Sequence, residues 1–463
     1  MRRLALVGGG YSAVALLLSL AEQWRPDDGA LAVDVFEPSA TLGQGLAYAP
    51  WERGDWGPLL NVPAGRMGPT VARQDDFAQW WRQRGGRAAD FAPRAAYGRY
   101  LAQTLHAALA ATPALRLTHH RSTVQALAPT PEGWQVRTDA AAHTADDVVL
   151  CTGHEARGLP PGAWSASGWW SDPWSCGEAL DALPVQVPVL LIGSGLTAVD
   201  VWQRLMRRPG AAQSAPVTLL SRHGWLPQPH RPHDAPPPSG FLPDTVLGDA
   251  HTARQLLRGL RQLTATAGGA GLDWRDVMAD LRRHTPRLWH QLPVQEQRRA
   301  VRHGTAAWDS HRHRAAPEVA AQVAEARRTQ RLQVIAGRLV DWAPLSAGSW
   351  QLQLQRRDGT RQEAVAGAIV NCTGPAPQRC APAAKLRQQG LQAGWYRPHA
   401  NGLGPAVDAE GRMLHADGHV QSRLWCLGPA LRAAHWEATA VPELRQHAQR
   451  LAQHLAQPLL QRR

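Results

Sequence analysis

The chain has 463 residues, a length that suits two large domains or about three of ordinary size. Hydrophobic residues make up 44% and charged residues 19%, which excludes a wholly disordered, collagen-like or coiled-coil chain, and no apolar run reaches the length of a membrane span. The net charge of +13 permits anionic partners, but 20 Trp against 5 Tyr and 4 Phe, with Lys385 the single lysine, mark GC-rich coding and weaken bulk composition as a functional signal.

In chain order, Leu4 to Val7 is a short run of buried-strand type, Gly8-Gly9-Gly10 interrupts it, and Ala13 to Leu20 runs at helical spacing. A basic start before an apolar stretch also suits a secretory leader. Three glycines break the run and no clear small-residue cleavage site follows, so a cytoplasmic first strand and helix are expected. The run Leu31 to Phe36 ends at Glu37 and completes a β-α-β unit. Val124 to Val136 reads as hairpin material around Pro131-Glu132-Gly133 and leads into VVLCTG at 148–153.

The same grammar then returns. Val189 to Ile192 is followed by Gly193-Ser194-Gly195, a helical stretch to Met206, and a strand Val217 to Leu220 that ends at Ser221-Arg222. Leu332 to Leu354, with Arg357-Asp358-Gly359 as a turn signal, leads into AIVNCTG at 368–374. The second copy carries an insertion, placed at the Pro-rich break Pro227 to Pro243 and the helical material that runs to about 330. Within it, Leu256, Leu257, Leu260 and Leu263 share one helical face, as do Trp274, Val277, Met278 and Leu281, and both stripes are expected to be core. Fourteen arginines against seven carboxylates fall between 251 and 330. The dense segment Trp308 to Arg314 is either a solvated or interface face or an anion clamp, with Arg312 and Arg314 as substrate-binding cations.

The two glycine motifs carry the chemistry. Gly8-x-Gly10-x-x-Ala13 supplies a tight turn, a backbone without a β-carbon where a pyrophosphate approaches, and a small residue for helix-on-strand packing. The helix start offers unpaired N–H groups to the anion, and Glu37 is placed to accept from a ribose diol. Gly193-x-Gly195-x-x-Ala198 repeats the pattern, but Ser221, Arg222 and His223 stand where an acid would be, which suits the 2′-phosphate of NADPH. Five cysteines, Cys151, Cys176, Cys372, Cys380 and Cys426, never form C-x-x-C, so neither a disulfide framework nor a dithiol centre is expected. His230, His233, His311 and His313 lack a compelling zinc spacing, and no metal site is expected. There is no hydrolase elbow and no P-loop.

Several segments resemble a known family. LGQGLAY (42–48), LLNVPAGRMG (59–68), FAPRAAYGRYL (91–101), SDPW (171–174), LLIGSGLTAVD (190–200), SRHGWLP (221–227), HRHRAAPE (311–318) and WEATAVPELR (436–445) are similar to the bacterial FAD/NAD(P)-binding protein family. These are flavoproteins with two dinucleotide-binding domains, whose relatives include flavin-dependent and N-hydroxylating monooxygenases and disulfide reductases. The resemblance spans nearly the whole chain. It implies an α/β fold with two Rossmann-like dinucleotide-binding domains, the NADP domain inserted in the FAD domain, and a helical insertion. The expected boundaries are 1–185 and 378–463 for FAD and 186–377 for NAD(P)H, with the helical insertion at about 235–330.

By the same resemblance, Gly43 and Gly45 would lie along FAD, Asn61 to Met67 would approach the isoalloxazine, Thr152 and Gly153 would mark the exit from the FAD domain, and Gly428 would be the late FAD-contacting turn. Ser12, Thr197, Gly374 and Trp436 complete the expected cofactor-binding set, and Asn61 is the expected catalytic residue. The implied activity is an FAD- and NADPH-dependent oxidoreductase, a monooxygenase that oxidises a small, acidic or amino-acid-like molecule with dioxygen through a flavin hydroperoxide. A flavin reductase serving a protein partner and a nucleotide- or nucleic-acid-binding protein are the alternatives. No nucleic-acid or membrane partner is expected.

Overall fold

A computed structural model describes residues 1–25, 29–51, 57–154, 168–231, 239–345, 348–374 and 382–457. His233 and Cys380 lie outside the described residues. The chain forms two compact units, one of Met1–Glu155, Thr285–Val294 and Pro377–Arg463, the other of Ala156–His284 and Gln295–Ala376.

The first unit is built on a six-stranded sheet in the order Arg412–Leu414, Val420–Cys426, Asp147–Leu150, Arg2–Val7, Leu31–Phe36, Leu115–His120. All neighbours are parallel except the Arg412–Leu414 edge. Leu4 to Val7 are buried, because a central parallel strand is covered on both faces and therefore reads as an unbroken apolar run. The helix Tyr11–Gln23 follows, buried from Tyr11 through Leu20. It is apolar all round because the helices Arg94–Ala111 and Val441–Ala456 both pack against it. Arg2 secures the strand order: its Nε donates to Asp147 Oδ2 at 2.8 Å, and the Asp147 side chain is fully buried. A three-stranded antiparallel sheet, Val124–Pro129, Trp134–Thr138 and Ala142–Ala145, confirms the hairpin expected there. The helix Pro382–Ala393 closes on it, and the Gln389 amide accepts from Leu127 N and donates to Leu127 O.

The second unit has a seven-stranded sheet in the order Arg361–Ala366, Trp350–Arg356, Leu332–Pro344, Val217–Ser221, Val189–Ile192, Ala368–Asn371, Trp169–Trp170. Leu332–Pro344 serves two partners. Its first half runs parallel to Val217–Ser221, and its second half is antiparallel to Trp350–Arg356 after an irregularity between Leu339 and Asp341. Helices between Ala253 and Arg328 supply the insertion, of which Thr285–Val294 belongs to the first unit. Its second expected stripe is core at Val277 and Leu281. The first stripe departs from expectation: Leu257 is 46% exposed, and Ala267 is the buried residue of the helix Ala253–Gly269. Amphipathic spacing records which face turns inward but not how deeply, and the Ala253–Gly269 helix packs against Trp274–Asp280 with most of its leucine stripe short of full burial.

The two units repeat one junction atom for atom. Gly8 N donates to Phe36 O at 2.9 Å and Cys151 N to Val7 O at 2.8 Å; Gly193 N donates to Leu220 O and Cys372 N to Ile192 O, both at 2.8 Å. A β-carbon on Gly8 would stand 2.4 Å from the Cys151 carbonyl oxygen, and one on Gly193 would stand 2.4 Å from that of Cys372. Both glycines have positive φ, +100° and +125°. Gly8→Ala and Gly193→Ala should therefore each cost about 2 to 4 kcal/mol from steric overlap and backbone strain. Thermal melts followed by circular dichroism should show a lowered midpoint, and a wild-type midpoint for Gly8→Ala would contradict this account of the junction.

Candidate dinucleotide sites

In the first unit Gly10 is the N-cap of Tyr11–Gln23 and no side chain caps that helix, so its first-turn N–H groups face outward. Unlike Gly8, Gly10 has open space: a β-carbon there would meet nothing nearer than Gly45 Cα at 3.7 Å. Gly45 faces it in turn, and Gly43 N donates to Gly9 O at 2.7 Å, tying the second loop to the first. The Glu37 carboxylate is held at the rim, accepting from Gly9 N at 2.9 Å and Ser39 N at 3.0 Å. Ala13 is fully buried, and Ser12 Oγ packs on Gly428, where a β-carbon would lie 2.8 Å away. Gly8, Gly10, Ser12, Ala13, Glu37, Gly43, Gly45 and Gly428 are thus gathered at one end of the parallel strands, with Thr152 and Gly153 just past Asp147–Leu150. That end is where open α/β sheets take ligands.

The loop after residue 57 is anchored by Leu60 N to Ala92 O and Ala64 N to Asp90 O, both at 2.9 Å, which leaves Asn61 partly exposed while Met67 is 2% exposed and part of the core. Two residues absent from the sequence expectation fix this loop. Tyr11 Oη lies 3.1 Å from Pro69 O and 3.3 Å from Val441 O, and Arg445 Nη1 donates to Gly68 O at 3.2 Å. Tyr11 occupies a variable position of the glycine motif, so only its aromatic character hinted at a tie. The start of the last helix, Val441–Ala456 with Pro442 in its first turn, is drawn to the same loop. Trp436 stacks on Trp289 at 4.7 Å, and Trp289 Nε1 donates to Ala433 O at 2.9 Å, a pairing that no local pattern announces.

In the second unit Gly195 repeats Gly10: it caps Leu196–Met206 without a side-chain cap, and a β-carbon there would meet nothing within 4 Å. Thr197 sits in the first turn, and Gly374 follows Ala368–Asn371 as Gly153 follows its counterpart. Ser221 ends the next strand, Arg222 is exposed beyond it and His223 half-buried. Both sites fit a pyrophosphate on the open glycine and the uncapped helix start, and bulky side chains do not occupy either position. Of the insertion's cations, Arg314 is 6.0 Å from the Trp274 ring and Arg275 is 4.4 Å from it. A cavity of about 550 Å³ is lined by Pro229, His230, Arg231, Asp273, Arg275 and Pro317 among others, and Arg275 is paired with Asp273 at 2.9 Å. Neither Arg312 nor Arg314 is among its lining residues.

Cys151, Cys176, Cys372 and Cys426 are free and buried, and burial pushes all four thiols up, Cys176 and Cys426 to about 12. Among the described residues, one group of possible metal ligands stands together, His415, Asp417 and His419. Among the described residues, too, no helix is long and apolar enough to cross a membrane.

Comparison with known proteins agrees with this geometry. Residues 5–155 match the FAD-NAD(P)-binding family model, which makes this segment an FAD/NAD(P)-binding domain. No curated protein matches the chain by sequence. Among solved structures, ornithine hydroxylase from Pseudomonas aeruginosa is 14% identical with a TM-score of 0.64, covering 98% of each chain. An ornithine N-hydroxylase of Kutzneria sp. 744, with reduced FAD, NADP⁺ and L-ornithine, is 17% identical with a TM-score of 0.61 over 97% of each chain. Thioredoxin reductase from Lactococcus lactis is 11% identical with a TM-score of 0.52, covering 98% of this chain and 97% of that one. The chain has the fold of the FAD- and NAD(P)H-dependent oxidoreductases with two dinucleotide-binding domains.

Near Trp436, two histidines of the first unit are held neutral. Burial pushes His435 down to about 4, with Arg450 and His290 adding to the effect, and burial pushes His447 to about 3, with His435 and Arg450 beside it. Both folded values lie below the ordinary 6.5, so the unfolded chain binds more protons once the pH drops below that value. Stability from this pair is present above pH 6.5 and is lost as the pH falls through about 4 for His435 and about 3 for His447. The thermal midpoint should decline over that window, and His447→Gln should flatten the decline; equal slopes for both proteins would contradict the assignment.

Proposed function

We propose that the chain is an FAD-containing, NADPH-using monooxygenase that oxidises a small amine or amino-acid-like molecule. The observation that carries it is the duplicated site, in which Gly10 and Gly195 are open at uncapped helix starts while Gly8 and Gly193 are closed on a carbonyl. One anion-binding turn for each of two dinucleotides is the minimum that an enzyme passing reducing equivalents from a nicotinamide to a flavin needs. In this reading the first unit holds FAD and the second NADPH. Bound FAD supplies hydride acceptance and reactivity with dioxygen, and bound NADPH supplies the hydride.

The protein's residues do the rest. Gly10, Gly45 and the Tyr11–Ala13 N–H groups hold the FAD pyrophosphate, and Glu37 accepts from the ribose. Asn61, partly exposed on a loop fixed by Tyr11 and Arg445, orients the substrate-facing edge of the flavin. Arg222 selects the 2′-phosphate, and Arg312 and Arg314 attract an acidic substrate. With an amine, the sum is substrate, dioxygen, NADPH and a proton giving hydroxylamine, water and NADP⁺. A monooxygenase is favoured over a dithiol reductase because the four described thiols are buried and pushed up, which opposes the thiolate such a relay requires. The N-hydroxylases among the structural neighbours support the reading, and free buried cysteines suit a cytoplasmic setting.

Purified protein should be yellow and should bleach when NADPH is added without oxygen. Gly10→Val should fold yet lose the flavin, because the added side chain fills space that the protein itself leaves open. Cys151→Ala with Cys372→Ala should keep NADPH-driven bleaching; its loss in a flavin-loaded double variant would return the thiols to the reaction.

In air, L-ornithine or L-lysine should give hydroxylamine, and Asn61→Ala should raise the peroxide-to-product ratio while NADPH consumption continues. If all NADPH consumed appears as peroxide whatever amine is added, these amines are not the substrates, and the monooxygenase reading yields to a reductase unless another small molecule couples.

A further inference from the structure

We propose that Arg357, on the turn after Trp350–Arg356, is the second arm of the site for the nucleotide's 2′-phosphate, and that His223 and Trp225 form the surface on which its adenine lies. The inference rests on the NADPH reading and names residues that neither glycine motif contains. Ser221 pairs in register with Ala336. Beyond it the chain turns back at Gly224, φ +66°, where a β-carbon would stand 3.2 Å from Ala336 Cβ. The Ala336 carbonyl in turn accepts from Arg357 N at 2.8 Å. Two segments far apart in sequence are therefore fastened to the same strand end, bringing Arg357 beside Arg222 and His223.

The charges at that point are unbalanced. Arg222 and Arg357 are both exposed, and among the described residues neither guanidinium has a hydrogen bond or ion pair. After burial, these two cations are what hold the His223 imidazole below its usual protonation range, Arg357 before Arg222. His223 Nδ1 is buried without a partner among the described residues. Two guanidinium groups and a neutral imidazole, with no carboxylate among the described charges that act on His223, are complementary to a dianion.

Next to them is a flat ring. Trp225 is 41% exposed and stacks on His223 with centroids 4.6 Å apart and planes 19° from parallel. It is fixed relative to the glycine motif, because Ser194 Oγ lies 2.6 Å from Trp225 O and 2.7 Å from Ser221 Oγ, and Ser221 Oγ accepts from Gly224 N. A phosphate-binding turn, a cationic pair and an aromatic face at the end of the next strand match the adenosine end of a phosphorylated dinucleotide.

Calorimetric titration of the intact protein with adenosine 2′,5′-bisphosphate and adenosine 5′-monophosphate tests this without turnover. Wild type should bind the bisphosphate more tightly. Arg357→Ala should weaken the bisphosphate about ten- to a hundredfold, as expected for one charge-assisted hydrogen bond, and leave the monophosphate unchanged. Arg357→Lys should recover part of the loss, Trp225→Ala should weaken both nucleotides by one factor, and Arg361→Ala should change neither. If wild type prefers the bisphosphate and Arg357→Ala keeps that preference or weakens both nucleotides equally, the role of Arg357 is overturned while NADPH binding stands. Unchanged binding in Trp225→Ala overturns the adenine surface. If wild type does not distinguish the two nucleotides, the NADPH reading falls and this inference with it.

Discussion

The close approach of a glycine to the carbonyl that follows a neighbouring strand is the constraint on which both units depend. Gly8 against Cys151 and Gly193 against Cys372 set how far the first strand and the closing strand of each sheet can approach at their ends. Because the junction leaves no room for a β-carbon, the chain turns sharply there, and the following helix begins directly over the strand end. The open glycines, Gly10 and Gly195, stand just past that turn in each unit. The cysteines before Thr152 and Thr373, whose carbonyls stand against these glycines, are both buried.

The motif therefore divides its labour. Its first glycine serves the protein and its second serves the ligand, although a sequence pattern writes them alike. The difference is visible only as space, 2.4 Å to a carbonyl at Gly8 against open solvent at Gly195. An uncapped helix start would ordinarily be left unsatisfied by a protein with serine and threonine to spend on capping, as Thr252 is spent on Ala253–Gly269. The two helices behind the open glycines, like most helices among the described residues, carry no side-chain cap, and each start together with its open glycine forms an electrostatic arrangement completed by an anion.

Much of this was legible in the residues. The strand, turn and helix starting at Leu4 and Val189, the two hairpins and the closing Cys-Thr-Gly strands follow from short-range chemistry: apolar runs, glycine turns and a period of two. What resisted reading was long-range. Nothing local marks Trp289 as the partner of Trp436, Tyr11 as the tie between Pro69 and Val441, or Arg357 as the neighbour of His223. The leucine stripe of Ala253–Gly269 failed differently, since Leu257 shows that an apolar period specifies orientation while the depth of burial depends on what lies opposite.

Net charge misleads here for a related reason. Most of the informative arginines are committed to structure: Arg2 to Asp147, Arg204 to Asp181, Arg275 to Asp273, Arg445 to Gly68 and Gln74. Such a cation contributes to the total of +13 yet offers little to a ligand, because its field is already answered by a carboxylate or a carbonyl. Arg222 and Arg357 differ in being exposed and, among the described residues, unanswered. In a chain where coding bias multiplies arginine, function is carried not by how many cations are present but by which ones the fold holds near one another without a counter-ion.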